Sequence, residues 1–149
     1  MRNLRPTSSK VRQALFNILY DVSGLSFLDL FAGTGEVGLT AFKKGAKDIT
    51  FVELDKRRCF DLKKKAPKNS KVICGDALKF LKNYKGEQFD IIFADPPYNY
   101  KFYDELIKQA LKKLSEGGIF ILEHRSDKHF NADEERKYGD TILSFWRNR

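Results

Sequence analysis

Five short apolar runs, SFLDLF (26–31), ITFVEL (49–54), KVICG (71–75), FDIIFA (89–94) and GIFILE (118–123), recur along the chain with helical patterns between them. This alternation limits the fold more than any other feature. Strands that are apolar throughout need cover on both faces, and intervening helices give that cover when the sheet is mostly parallel. The expected fold class is therefore α/β with a doubly wound sheet. Such sheets bind ligands beyond the carboxyl ends of their strands, so the informative residues should follow each run directly.

The helical segments carry ordinary signals. Ser8-Ser9 precede apolar residues at Val11, Leu15, Ile18 and Leu19, the spacing of one helix face behind a serine cap. A second helix should run from the glycine-rich turn at 33–38 to about Lys44, where Gly45 closes it. Lys56 to Lys65 reads as a basic helix ended by Pro67, and ALKFL (77–81) as a short one. Tyr103 to Leu114 has apolar residues at Leu106, Ile107, Ala110, Leu111 and Leu114, after which Glu116-Gly117-Gly118 turns into the fifth strand. The tail, KYGDTILSFW, reads as a hairpin about Gly139-Asp140, with Trp146 in the core. No repeat or linker is visible, so residues 1–149 are expected to form a single domain.

Composition narrows the partners. The formal net charge of +8 favours contact with polyanions such as nucleic acid, although many lysines, such as Lys63 to Lys65, fit solvated helix faces equally well. No apolar run is long enough for a membrane span, and MRNLRPTSSK lacks the apolar stretch of a signal peptide. A soluble, cytoplasmic chain with no membrane partner is expected. Cys59 and Cys74 fall in different elements, without CxxC spacing or a histidine pair. In a cytosolic setting they are expected as two packed thiols, neither zinc ligands nor a disulfide. No metal site is expected, and His124 and His129 read as loop histidines.

Gly33, Gly35 and Gly38 spell GxGxxG between a strand and a helix, and Glu53 ends the next strand 18 residues beyond Gly35. Glycines let a ligand approach the backbone, and a carboxylate at that distance can accept from both hydroxyls of a ribose. The motif suits NAD and S-adenosylmethionine alike. Asp29, inside the first strand, can order the loop and face a cationic ligand end. Asp76 can accept from an adenine amino group, or simply cap a helix. A pyrophosphate disfavours such carboxylates, whereas a sulfonium bearing an ammonium does not. The set therefore favours S-adenosylmethionine, with Asp29, Phe31, Gly33, Thr34, Gly35, Glu53, Leu54, Asp76, Ala77 and Asp95 as candidate cofactor contacts.

The strongest signal is Asp95-Pro96-Pro97-Tyr98 at the end of the fourth strand. An aromatic amine is a poor nucleophile because its lone pair is delocalised into the ring. A carboxylate from Asp95 and the carbonyl of Pro96 can accept the two amine hydrogens, draw the nitrogen toward tetrahedral geometry and aim its lone pair. Pro96 and Pro97 stiffen the loop, and Tyr98 can stack on a base. These four are the candidate catalytic residues.

FLDLFAGTGEVG, FVELD, CGDAL and DPPY, in that order, resemble the amino-methyltransferases of the class I fold. RPTSSKVRQALFNIL and YGDTILSFW further resemble the bacterial 16S ribosomal RNA guanine-(2-amino) methyltransferase family. The resemblance spans Arg5 to Trp146. It implies a Rossmann-like sheet of seven strands whose last strand is antiparallel, and it implies S-adenosylmethionine as cofactor. Residues 1–20 become the segment beside the cofactor and substrate entrance, with Arg2, Arg5, Lys10 and Arg12 as candidate nucleic-acid contacts. Members usually carry a longer basic extension ahead of this segment; here four residues precede Arg5. The expected partner is ribosomal RNA or the small ribosomal subunit, met by a monomer. A DNA adenine amino-methyltransferase and an NAD-linked oxidoreductase stand as alternatives, the second leaving Asp-Pro-Pro-Tyr unexplained. A silent nucleic-acid-binding module would leave the cofactor loop unexplained.

Overall fold

A computed structural model of the chain describes residues 7–149. The candidate contacts Arg2 and Arg5 lie outside the described residues. The elements run α1 (Ser9–Leu19), β1 (Ser26–Leu30), α2 (Glu36–Lys43), β2 (Asp48–Glu53), α3 (Lys56–Lys65), β3 (Lys71–Cys74), α4 (Ala77–Asn83), β4 (Phe89–Ala94), α5 (Tyr103–Lys112), β5 (Leu114–Arg125), β6 (Glu134–Tyr138) and β7 (Thr141–Arg147). The strands form one seven-stranded sheet in the order β3-β2-β1-β4-β5-β7-β6. β1 to β5 pair in parallel, and β7 runs antiparallel to both β5 and β6. This is a Rossmann-like sheet of seven strands with an antiparallel last strand, as the sequence led us to expect.

Alternating residues divide the strands between two cores. Phe27, Ile49, Phe51, Ile91, Phe93, Ile119 and Ile121 pack with Leu15 and Phe16 of α1, Val37 and Ala41 of α2, and Leu62 of α3. Their neighbours Leu28, Leu30, Val52, Ile92, Ala94, Phe120 and Leu122 pack with Ala77 and Leu81 of α4 and Leu106 and Ala110 of α5. Trp146 of β7 stacks on Phe120 at 5.3 Å between ring centroids, as a core residue should. Polar side chains secure the helix starts. Ser8 accepts from the Val11 amide, Asp55 from those of Arg57 and Arg58, and Asp76 from that of Lys79.

Two expectations need correction. The helix over 103–114 stops at Lys112, and β5 begins at Leu114, before the glycine pair. Leu114 pairs with Phe89, after which the β4–β5 register shifts and Gly117 takes φ of +80°. The Asn148 side chain then donates to the carbonyls of Leu114 and Ser115 at 3.1 and 3.0 Å. Ser115 to Gly118 thus lie opposite Asp90 alone in an extended bulge, so a turn signal lies inside a strand. The second correction concerns the cysteines: Cys59 and Cys74 form a disulfide, with their Cα atoms 5.9 Å apart. α3 folds back along β3 and brings the two residues together, a closeness that sequence separation does not show.

Candidate active site

The sheet reverses its winding between β1 and β4, and ligands of doubly wound sheets settle at that point, beyond the strand ends. The glycine loop leaves β1 there. Phe31 has φ of +58°, a left-handed conformation uncommon for an aromatic residue and informative where it occurs at a candidate site. Gly35 also has positive φ, and a Cβ on it would strike Leu62 of α3. At Gly38 a Cβ would strike the Phe51 ring, so the glycine lets α2 lie close against β2.

The acids of this loop hold its backbone in place. Asp29 is buried and accepts from the Gly38 amide at 3.0 Å. Burial pushes its carboxyl up to about 8, against the lowering effect of the Gly38 bond and with a smaller push from Glu53. Glu53, also buried, accepts from the Gly33 amide at 2.7 Å with one oxygen and from the Asp55 amide at 2.9 Å with the other. Its own carbonyl accepts from Gly75 at 3.0 Å, which ties the turn carrying Asp76 to the end of β2. Asp76 accepts from Lys79 at 2.9 Å as the cap of α4, and Ala77 beside it is buried. Leu54 is exposed at the rim. The disulfide joins α3 to the last residue of β3, directly before this turn.

This set of acceptors suits a cationic, ribose-bearing ligand. Asp29 and Glu53 bond the loop's own amides and Asp76 stands in the neighbouring turn, where a pyrophosphate would need donors. In addition, the Tyr100 hydroxyl is buried without a hydrogen bond to any described residue. Its ring lies 5.2 Å from that of Phe31, edge to face. Burial pushes this hydroxyl up to about 12, with contributions from Asp76 and Tyr103, so it remains a donor.

Asp95 follows β4 next to these loops. Tyr98 is exposed, and the Arg125 guanidinium lies 5.8 Å from its ring centre. The Tyr103 hydroxyl is pushed up to about 12, chiefly by burial and then by Asp95 and Asp127. Tyr100 sits edge to face with both Phe102 and Tyr103. The loop after β4 thus carries an aromatic floor as well as the stiff Pro96-Pro97 pair. His124 is buried and bonds the Ser144 hydroxyl at 2.6 Å, and burial lowers its pKa. It is therefore a packed histidine rather than a loop one. His129 lies outside strands and helices.

Of the basic candidates within reach, Lys10 is exposed on α1. Arg12 pairs with Glu36 at 2.9 Å and also donates to the Thr7 carbonyl at 3.2 Å, so it braces α1 against the start of α2. The sequence reading passed over Glu123, a largely buried carboxyl that accepts from the Thr7 hydroxyl at 3.0 Å. The available signal was a charged residue at the end of an apolar strand, GIFILE, where ligands bind. Among the described residues no cluster of three or more metal-ligating side chains occurs, and no helix is long and apolar enough to cross a membrane.

Fold and site together define a class I, Rossmann-like methyltransferase. The family described as Conserved hypothetical protein 95 matches residues 1–147. Ribosomal RNA small subunit methyltransferase D of Haemophilus influenzae is 33% identical over 135 residues, covering 84% of this chain and 70% of that protein. The Buchnera aphidicola protein of the same name is 34% identical over 149 residues, covering 97% of this chain and 74% of its own. The chain belongs to this family. Among solved structures, an RNA methyltransferase from Salinibacter ruber in complex with S-adenosyl-L-homocysteine has the same fold, with a TM-score of 0.77 at 16% identity over 97% of this chain and 94% of that one.

Proposed function

We propose that this protein transfers a methyl group from S-adenosylmethionine to the 2-amino group of a guanine in 16S ribosomal RNA. The observation that carries this reading is the position of Asp95-Pro96-Pro97-Tyr98 at the carboxyl end of β4, beside the acid-lined glycine loop of β1. Membership of a family containing ribosomal RNA small subunit methyltransferases supports the substrate class.

The cofactor supplies a methyl group on a positively charged sulfur, which departs as a neutral thioether. Glu53 accepts from the ribose hydroxyls with its remaining lone pairs, and Asp76 accepts from the adenine amino group. Asp29 faces the ammonium end. Phe31, Thr34, Leu54 and Ala77 shape the walls around the adenosine. Asp95 and the Pro96 carbonyl accept the two hydrogens of the guanine amine, and Tyr98 stacks on the ring. Holding nitrogen and methyl in line accounts for most of the acceleration. The amine loses a proton after transfer, and Asp95 already holds the bond along which it leaves.

A paired guanine engages its amino group and hides its faces, so the target base is unpaired or flipped out. Lys10, with Arg2 and Arg5, holds neighbouring phosphates, and activity falls steeply with salt. The chain acts as a monomer in the cytoplasm, where its ribosomal substrate is found. The test is to incubate unmethylated small subunits, naked 16S RNA and duplex DNA with labelled cofactor and to map the product by mass spectrometry. Methyl label at guanine N2 in 16S RNA is expected. Label confined to adenine in DNA would overturn the substrate while leaving the amine chemistry standing.

A further inference from the structure

Glu123 is a largely buried carboxyl that the mechanism above does not use. Ala94 of β4 pairs with Leu122 of β5, so one step further Glu123 lies abreast of Asp95. Adjacent strands are about 4.8 Å apart, so the two residues border the same small space. Glu123 follows Ile119 and Ile121 in alternation and shares their face, the one covered by α1. There the Thr7 hydroxyl donates to Oε1 at 3.0 Å. Thr7 is itself held, because Arg12 grips its carbonyl at 3.2 Å and pairs with Glu36 at 2.9 Å. Among the described residues, the hydrogen bond to this carboxyl comes from a neutral donor. Burial pushes it up to about 7, against the lowering effect of the Thr7 bond, so ionisation gains most from a further donor.

Guanine and adenine differ where such a carboxylate would touch them. Beside its 2-amino group guanine carries a donor, N1–H; beside its 6-amino group adenine carries an acceptor, N1. Asp95 and the Pro96 carbonyl engage the amine in either base, so they do not choose between the two. We propose that Glu123 is the specificity-determining residue, its carboxylate accepting the N1–H of guanine while Asp95 accepts the adjacent amine hydrogen. An adenine in that place sets a lone pair against a carboxylate and is rejected, so the site selects by repulsion as well as attraction. This assignment rests on the guanine-methylating reading and sharpens it to an atom.

The test uses small subunits reconstituted with 16S RNA carrying either guanosine or 2-aminopurine riboside at the methylated nucleotide. 2-Aminopurine keeps the 2-amino group but has an acceptor at N1. Single-turnover rates are measured for the full-length wild type, Glu123→Gln and Glu123→Ala. Melting temperature and calorimetric binding of S-adenosylhomocysteine serve as controls for folding. The wild type should prefer guanosine about tenfold or more, the scale of a hydrogen bond to a charged group. Both variants should bring the two rates to within about twofold, with cofactor-product affinity unchanged. A merely structural role for Glu123 lowers both rates together and leaves the ratio where it was. A wild type active on guanosine whose ratio survives in the folded variants overturns this proposal alone. A wild type that leaves guanosine unmodified overturns the functional reading, and this proposal with it.

Discussion

Beneath α4 and α5, the sheet shows a hydrocarbon face in which Leu28, Leu30, Val52, Ile92, Ala94, Phe120 and Leu122 are all buried. On the opposite face the same strands carry Phe27, Phe51, Ile91, Phe93 and Ile121, but Asp29, Glu53 and Glu123 interrupt this set toward the carboxyl ends. Strand parity alone separates the two faces. A shift of one residue in any strand would bury its acid against α4 and α5 and turn a leucine or valine toward the ligand. One face therefore serves stability, while the other gives up some stability to keep acids buried at the strand ends. Desolvation of Asp29 and Glu123 measures that cost, since their carboxyls are pushed up to about 8 and about 7.

The contrast can be broken from either side. The largest expected effect is on chemistry: Asp95→Ala should lower the single-turnover methyl-transfer rate about a thousandfold, the scale of losing a preorganised transition-state contact. Calorimetric affinity for S-adenosylhomocysteine should stay within a few-fold, and a variant with most of its rate intact would remove Asp95 from the mechanism. On the hydrocarbon face, Leu122→Ala should cost about 2–5 kcal/mol in denaturant unfolding with little change in that affinity. If binding fell as far as stability, the two faces would not be separable in function.

The smallest effect concerns protons. The folded Asp29 carboxyl lies above its ordinary value of 3.8, so the folded state holds a proton that the unfolded state has released between about 4 and about 8. Stability of the ligand-free protein should therefore decline as pH rises through that window, and Asp29→Asn should flatten the decline. A cationic ligand end ionises the carboxyl, so S-adenosylmethionine binding at pH 7 should release up to about one proton. Calorimetry in phosphate and in Tris would detect this as a buffer-dependent heat. Equal heats in the two buffers would remove Asp29 from contact with the ammonium.

The parallel core was legible because each strand is a short apolar run and each ligand-side residue follows one directly. Ser8 and Gly45 marked ends for α1 and α2, and Gly139-Asp140 marked the final hairpin. Less legible were features made by contact between distant segments. The β5 bulge depends on Asn148, more than thirty residues away, donating to Leu114 and Ser115. The disulfide depends on how α3 lies along β3, and no spacing rule gives that. At the site, the GxGxxG and Asp-Pro-Pro-Tyr motifs stood out because their residues are contiguous. Glu123 did not, since its surroundings come from the neighbouring strand β4 and from Thr7 over a hundred residues earlier. Arg12 looked like a free cation because its partner, Glu36, belongs to another helix.

The placement of β7 bears on how the protein is made. The strand lies between β5 and β6, pairs with both and brings five consecutive buried residues, Ile142 to Trp146. Those residues come last among the sheet's strands in chain order, so during synthesis the parallel half can assemble while the rim of β5 stays open. Until then β6, whose sequence EERKY is largely exposed, has no neighbour in the sheet. An open rim beside Ile119 and Ile121 is a template for a strand from another nascent chain. The exposure lasts until the final strand slides in, so a slower closing step leaves that rim open to mispairing for longer.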